Sequence, residues 1–282
     1  MHGHGYHWTA LYGEDEDIAT SITRDIEGGT LVDSFACVDV ANGTENAETV
    51  ICLRWGHGAI AEDMLVVTES EKQSNFLFSG YPVLLDGIRH SVTVDHVEPW
   101  EHHIEGWIHA LVTNEKIPLT FFDTRYYAGS ASLQSGQRID ISLAGLAYSL
   151  EPMVQHSIEI GEGALWEMER QRRLDRGESL QDASKPVSLI LSGMAALLPR
   201  TGEACDDAEF RGLIDSIVKL EHGDLTFYRL EIVVLRPNDE AFKIPIFVSE
   251  RVIGSYIPRL GEDVQGVMWV QGYVLGLTDD TD

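Results

Sequence analysis

Four histidines, His96, His102, His103 and His109, fall in one short stretch with Glu105 and Trp107 among them, and nine of the chain's eleven histidines precede residue 110. Imidazole nitrogens together with a carboxylate are the donor set that holds zinc and similar ions. On a β-strand alternate residues share a face, so His103, Glu105, Trp107 and His109 would project together. His103 and His109 would stand about 20 Å apart along that strand, too far for one ion to bridge. The expected chemistry is therefore a divalent metal held at one end of the strand by His103 and Glu105, with His96, Trp107 and His109 forming a ligand or partner face. A polar strand face without an ion is the competing reading. The second half of the chain has Tyr228 and Leu230 near the corresponding places and no histidine. No cofactor other than such a metal is expected.

Other catalytic patterns are missing. There is no Gly-x-Ser-x-Gly elbow. Gly56-x-Gly-Ala and Gly161-x-Gly-Ala each stand before a predicted helix, where exposed backbone N–H groups can bind phosphate. The third glycine of a dinucleotide fingerprint is replaced by Ala61 and Trp166, and Gly-Lys-Ser/Thr is absent. Cys205 lies among Glu203, Asp206 and Asp207, whose charges raise a thiol's pKa and suppress its reactivity. The residues assemble no catalytic set, so the chain reads as a non-enzyme. His2, His4 and His7 read as part of a flexible, His-rich tail.

The elements that must carry these side chains are mostly strands. Residues 92–97, 104–112, 119–122 and 139–150 are rich in β-branched and aromatic residues, and so are 213–220, 227–235, 244–248 and 264–274. Turn material divides them, including Arg236-Pro237-Asn238-Asp239 and Ser135-Gly136. The two sets resemble each other. Phe122, Gly129, Ser130, Gly136, Tyr148 and Leu150 recur 125 positions on as Phe247, Gly254, Ser255, Gly261, Tyr273 and Leu275. Two earlier blocks recur in the same order: Gly56-x-Gly-Ala at Gly161, and Phe76-Leu77-Phe78-Ser79-Gly80 at Leu189-Ile190-Leu191-Ser192-Gly193. Repetition in order points to an internal duplication. A helix is expected after each Gly-x-Gly-Ala, most clearly over residues 164–176, where Glu169 precedes Arg173 by one turn and Gly177 stands next as a cap.

Residues 88–150 and 210–277 each resemble an OB-fold: a long first hairpin, a middle strand, a variable connection and a Gly-led final strand pair. The resemblance is to the fold and carries no family motif. It implies a mainly β protein with a few short helices, made of two tandem OB-like, small closed antiparallel barrels related by duplication. The expected divisions are an N-terminal extension over residues 1–46 with a short helix and a strand, a first barrel unit over 47–150, a second over 151–277 and an acidic tail over 278–282.

Twenty Lys and Arg against forty-six Asp and Glu leave a net charge of −26. That balance opposes a polyanion, because phosphate binding depends on cationic side chains displacing counterions. It opposes an anionic membrane for the same reason. Three scattered cysteines suit a reducing compartment, and no leader-like start is seen, so a cytoplasmic location is expected. The functional expectation is a binding or scaffold protein whose duplicated modules contact another protein, one of basic character. Single-stranded nucleic-acid binding on aromatic faces is the alternative. A metal-dependent enzyme using the histidines of the first half is the third reading.

Overall fold

Where β-branched and aromatic residues run between turn signals, strands form. The computed structural model describes residues 4–13, 18–38, 47–69, 74–100, 102–112, 117–155, 157–200 and 204–276. His2, the acid run 14–17 and the tail 278–282 lie outside them. Two helices open the fold, α1 (Gly5–Tyr12) and α2 (Ile18–Gly28). An antiparallel meander comes next, made of β1 (Thr30–Val38), β2 (Ala47–Trp55), β3 (Ile60–Glu69) and β4 (Ser74–Leu84). After it come β5 (Ile88–Pro99), β6 (Gly106–Val112), β7 (Ile117–Asp123) and β8 (Arg138–Pro152). A small insertion holds β9 (Ser157–Ile160), α3 (Ala164–Asp175), α4 (Leu180–Ala183) and β10 (Val187–Ile190), with β9 and β10 paired. The chain ends with β11 (Ala196–Pro199), β12 (Asp207–His222), β13 (Leu225–Leu235), β14 (Phe242–Ser249), α5 (Glu250–Ile253) and β15 (Asp263–Val274). The protein is mainly β, and no helix among the described residues is long and apolar enough to cross a membrane.

One expected helix is a strand. After Gly56-x-Gly-Ala the chain forms β3, whereas after Gly161-x-Gly-Ala it forms α3. β3 carries Val66, Val67 and Thr68, which favour a pleated surface, and it is paired on both sides, to β2 and β4. α3 is rich in Glu and Arg, buries no residue and is capped by Gly177 at φ +84°.

Two groups of four strands carry the same ladder. In the first, β5 pairs with β6 and β8, and β6 with β7. In the second, β12 pairs with β13 and β15, and β13 with β14. A bulge interrupts β5 between Val94 and His96, and another interrupts β12 between Ile214 and Ser216. The residue passed over is an aspartate both times, Asp95 and Asp215. Trp107 faces Phe122 as Arg229 faces Phe247, and Ile88 faces Leu143 as Ala208 faces Met268. Gly136 and Gly261 share a left-handed φ (+83° and +78°), and their N–H groups donate to the carbonyls of Val94 and Ile214, the residues just before each bulge.

Neither group closes with its own strands, and β8 itself runs through the expected unit boundary at residues 150 and 151. β7 pairs in parallel with β15, placing Phe122 beside Gln271, and β14 pairs in parallel with β8, placing Phe247 beside Leu146. β8 and β15 pair antiparallel, with Gly145 opposite Val270. These residues are 125 positions apart. The pairings run β5–β6–β7–β15–β8 and back to β5, and β12–β13–β14–β8–β15 and back to β12. The result is one barrel-like nine-stranded sheet rather than two independent sheets.

This crossing needs strands that are apolar on both faces. Ile139, Ile141, Leu143 and Ala147 of β8 point into a core that also takes Val92, Ile108, Phe121, Ile214, Ile232, Ile244 and Met268 from both groups. Ala144 and Leu146 point the other way, with Phe122, Phe247 and Trp269, into a second core under the four-stranded sheet. Close packing between β12 and β13 leaves no room at Gly212, where a Cβ would overlap the Val233 carbonyl. Gly212→Ala is expected to cost about 3 kcal/mol, since overpacking against backbone cannot relax through rotamers. Urea denaturation measures it, and an unchanged midpoint would contradict the packing described.

The four-stranded sheet is held by two buried polar groups. At one side Glu62 of β3 accepts from Tyr12 of α1, from Arg24 Nη2 of α2 (3.0 Å) and from His222 at the tip of the β12–β13 hairpin (2.8 Å). Arg24 also binds Asp25 (2.6 Å) and lies over the Trp55 ring (3.8 Å). Burial, then the hydrogen bond with Glu62 and its charge, pushes the Asp25 carboxyl up to about 8, and burial, then Arg24, pushes His222 down to about 4. Beside them, Arg54 holds buried Asp63 through two bonds of 2.7 Å.

Candidate functional site

The tip of the other hairpin, β5–β6, forms the second polar group, and it opens onto a cleft. Trp100 N–H donates to Glu105 O (2.8 Å), and His103 N–H donates to Trp100 O (2.9 Å). His103 takes a left-handed φ of +57° to make that turn. The turn packs against α1, whose Trp8, Leu11 and Tyr12 are buried in the second core. The Trp8 indole donates to Gly80 O of β4 (2.9 Å). Between turn, α1, α2 and β4 lies a cleft of about 790 Å³. Its walls carry Trp8, Trp100, Trp107 and Phe78, with Glu98 and Glu105 as the carboxylates.

Behind the cleft wall runs a chain of polar contacts. Glu105 Oε1 accepts from Ser79 Oγ (2.7 Å) and meets His4 Nε2 at 3.1 Å. His4 Nδ1 meets His7 Nδ1 at 2.8 Å. The His7 ring stacks on Trp269 (3.6 Å between centroids), and the Trp269 indole donates to Asp206 (2.6 Å). Burial, then neighbouring His4, holds the His7 pKa well below its usual value, so His7 is neutral. The consistent proton assignment has His4 donating from Nε2 to Glu105 and accepting at Nδ1 from His7. Burial raises the Asp206 carboxyl, against the indole bonds that lower it. The chain of contacts places a fixed acceptor, Glu105, on an aromatic wall.

At the cleft's rim His96 of β5 stands opposite His109 of β6. Their rings stack at 4.0 Å, and His109 Nε2 meets Glu98 Oε2 at 3.2 Å. Burial, then His96, lowers the His109 pKa.

The residues singled out from sequence divide between these places. Trp107 and His109 do share a face of β6, with Ile108, Ala110 and Val112 turned into the first core. His96 joins them from the paired strand, while Trp107 is buried at the cleft. His103 is exposed in the turn, and Glu105 is buried against Ser79 and His4. Neither belongs to the group His96, Glu98 and His109, whose ligand atoms all lie within 4.8 Å of one another. Cys205, half-buried, has its thiol pushed up to about 12 by burial and then by Asp206. Sequence reading missed His4, His7, Ser79, Asp206 and Trp269. His4 and His7 are not a tail: they are 7% exposed, at and within α1. Their three-residue spacing, beside Trp8 and Leu11, was the available signal.

No family model matches this chain, and no curated protein matches it at significant similarity. The function is therefore argued from the site alone.

Proposed function

We propose that the chain is a non-enzymatic binding protein, and that its cleft receives a cationic side chain presented by a partner protein. The observation that carries this is the cleft wall itself: Trp8, Trp100, Trp107 and Phe78 around Glu98 and Glu105. Aromatic faces attract cations through the ring quadrupole, most strongly when water is excluded. Glu105, fixed by Ser79 and His4, supplies a counter-charge that needs no reorganisation. The net charge of −26 draws a basic partner toward the surface before contact.

The scaffold belongs to the same proposal. Each ring of pairings has a first hairpin, a middle strand and a final antiparallel pair, the make-up of a five-stranded OB-like barrel. The fifth strand of each comes from the other unit. Matching bulges, matching glycine turns and the 125-residue spacing of the paired residues Gly145 and Val270 support descent of both units from one copied ancestor. In such barrels the loop of the first hairpin is a favoured ligand site, and the cleft lies at that loop in the first ring. In the second ring the same loop is occupied by the His222–Glu62 contact.

Titration with a short peptide carrying one lysine, monitored by tryptophan emission, tests this. The control peptide has norleucine, which keeps the hydrocarbon and loses the charge. The lysine peptide is expected to bind about tenfold more tightly, which corresponds to about 1.4 kcal/mol. Trp100→Leu is expected to abolish the difference. Equal binding of the two peptides would sink the proposal. So would tighter binding of oligothymidylate, which the single-stranded nucleic-acid reading requires and which Glu98 and Glu105 oppose.

A further inference from the structure

We propose that His96, Glu98 and His109 bind one divalent transition-metal ion, zinc by preference, at the rim of the cleft. Two imidazoles and one carboxylate are a complete protein ligand set for an open zinc site. The ligands come from two paired strands, which fixes their spacing through backbone hydrogen bonds rather than through loop conformation. His96 and His109 are direct ladder partners, and Glu98 lies two residues along β5 on the same face. Their ligand atoms fall within 4.8 Å of one another. Donors on a tetrahedral zinc stand about 3.3–3.5 Å apart, so side-chain rotation alone closes the set.

The two rings stack nearly parallel, 4.0 Å apart and with 7° between their planes, so at least one must turn to aim its lone pair at a shared ion, and each has a polar neighbour at its Nδ1 edge. His96 Nδ1 meets Asp95 Oδ2 at 2.9 Å, and His109 Nδ1 meets Thr120 Oγ1 at 3.0 Å. Each contact takes the Nδ1 edge, as in metal-ligating histidines held in one tautomer; His109 Nε2 faces the Glu98 carboxylate at 3.2 Å, a contact that an ion between them would replace. The Asp95 contact depends on the bulge, since Asp95 is the residue passed over in the β5–β6 ladder. Glu98 and His96 are about half exposed, which leaves the remaining coordination positions open to water or ligand.

The second unit serves as an internal control. Its frame is the same at this place, and Ser216 faces Glu231 where His96 faces His109. Val218 stands for Glu98, and Pro245 for Thr120. Asp215, the counterpart of Asp95, is bound by Lys243, and Glu231 by Arg229. The fold therefore does not demand histidines here. This inference is independent of the cleft's ligand, although an ion on Glu98 would withdraw one carboxylate from the cleft wall.

The test uses the full chain, stripped with a chelator and titrated with zinc against a chromophoric competitor. One zinc per chain is expected. Cobalt in its place is expected to give the ligand-field absorption of a four- or five-coordinate site, a readout on the native chain that needs no variant. His96→Ala with His109→Ala is expected to remove the binding. Asp95→Asn and Thr120→Val are each expected to weaken it about 10- to 100-fold without touching the ion. His102→Ala with His103→Ala is expected to leave it unchanged. Absence of cobalt bands in the native chain overturns the proposal. Zinc affinity that survives the His96/His109 replacement, in protein shown by circular dichroism to be folded, overturns it equally.

Discussion

Glu62→Ala is expected to lower folding stability by about 2–4 kcal/mol, because it leaves the buried Tyr12 hydroxyl and His222 ring without their acceptor at once rather than removing one contact. Glu62 is fully buried and receives Tyr12, Arg24 and His222 from three separate elements. Without it, Arg24 keeps Asp25 and the Tyr12 hydroxyl, to which it donates at 2.7 Å, while Tyr12 and His222 lose a common acceptor. The same substitution loosens α1, α2 and the β12–β13 hairpin from the four-stranded sheet together. Urea denaturation measures the loss, and a change below about 1 kcal/mol, the range of an exposed ion pair, would show that the cluster is solvated.

A pH signature accompanies this cluster. The Asp25 carboxyl is raised from 3.8 to about 8 by burial and then by Glu62. Between those values the folded protein keeps a proton that the unfolded chain has lost. The stability Asp25 contributes is therefore full below the lower value and falls as pH rises through the higher one. His222, lowered from 6.5 to about 4 by burial and then by Arg24, has the opposite slope: stability rises with pH across that narrower window. Asp25→Asn keeps an acceptor for Arg24 and offers Glu62 an N–H. It is expected to flatten the descent and to gain on the order of 2 kcal/mol at the alkaline end. An Asn variant whose pH profile parallels that of the native protein would rule out Asp25 as the titrating group.

Trp269→Ala is expected to cost about 3–5 kcal/mol, the range for removing a large buried aromatic side chain. Trp269 is fully buried, stacks on His7, packs against Phe122 and donates to Asp206. Its loss opens a cavity beneath α1 and leaves Asp206 short of a donor. Trp269→Phe restores most of the volume and the stacking but not the indole N–H, and is expected to cost about 1–3 kcal/mol. Near-equal losses for Ala and Phe would mean that the hydrogen bond, not the packing, holds the helix. α1 carries His4 and Trp8, so both variants are also expected to weaken binding at the cleft in the same order.

The range of each interaction set how much was legible. The eight long strands β5–β8 and β12–β15 could be read directly, because alternation and turn residues act locally: 264–274 was expected and β15 is Asp263–Val274; the four-residue strands β9, β10 and β11 were not read. The ladder face shared by Trp107 and His109 was legible for the same reason. The four-residue Gly-x-Gly-Ala signal misled at β3, because a turn motif carries no information about which strands will flank the segment after it. Glu62 and Asp63 inside the apolar run from Ile60 to Val67 were a readable sign of buried charge. Their partners were not readable, since His222 lies 160 residues away.

The sequence by itself determined that this is a mainly β protein and where the four long strands of each set run, because side-chain alternation and glycine turns are written residue by residue. Only the tertiary structure decided that each set is completed by the other's last strand, since edge pairing depends on which surfaces meet and not on local pattern. It also decided that an N-terminal segment read as a tail is a buried helix walling a cleft. Trp8 and Leu11 find apolar partners only after β4, β8 and β14 have come together, and no window of sequence contains all of those strands.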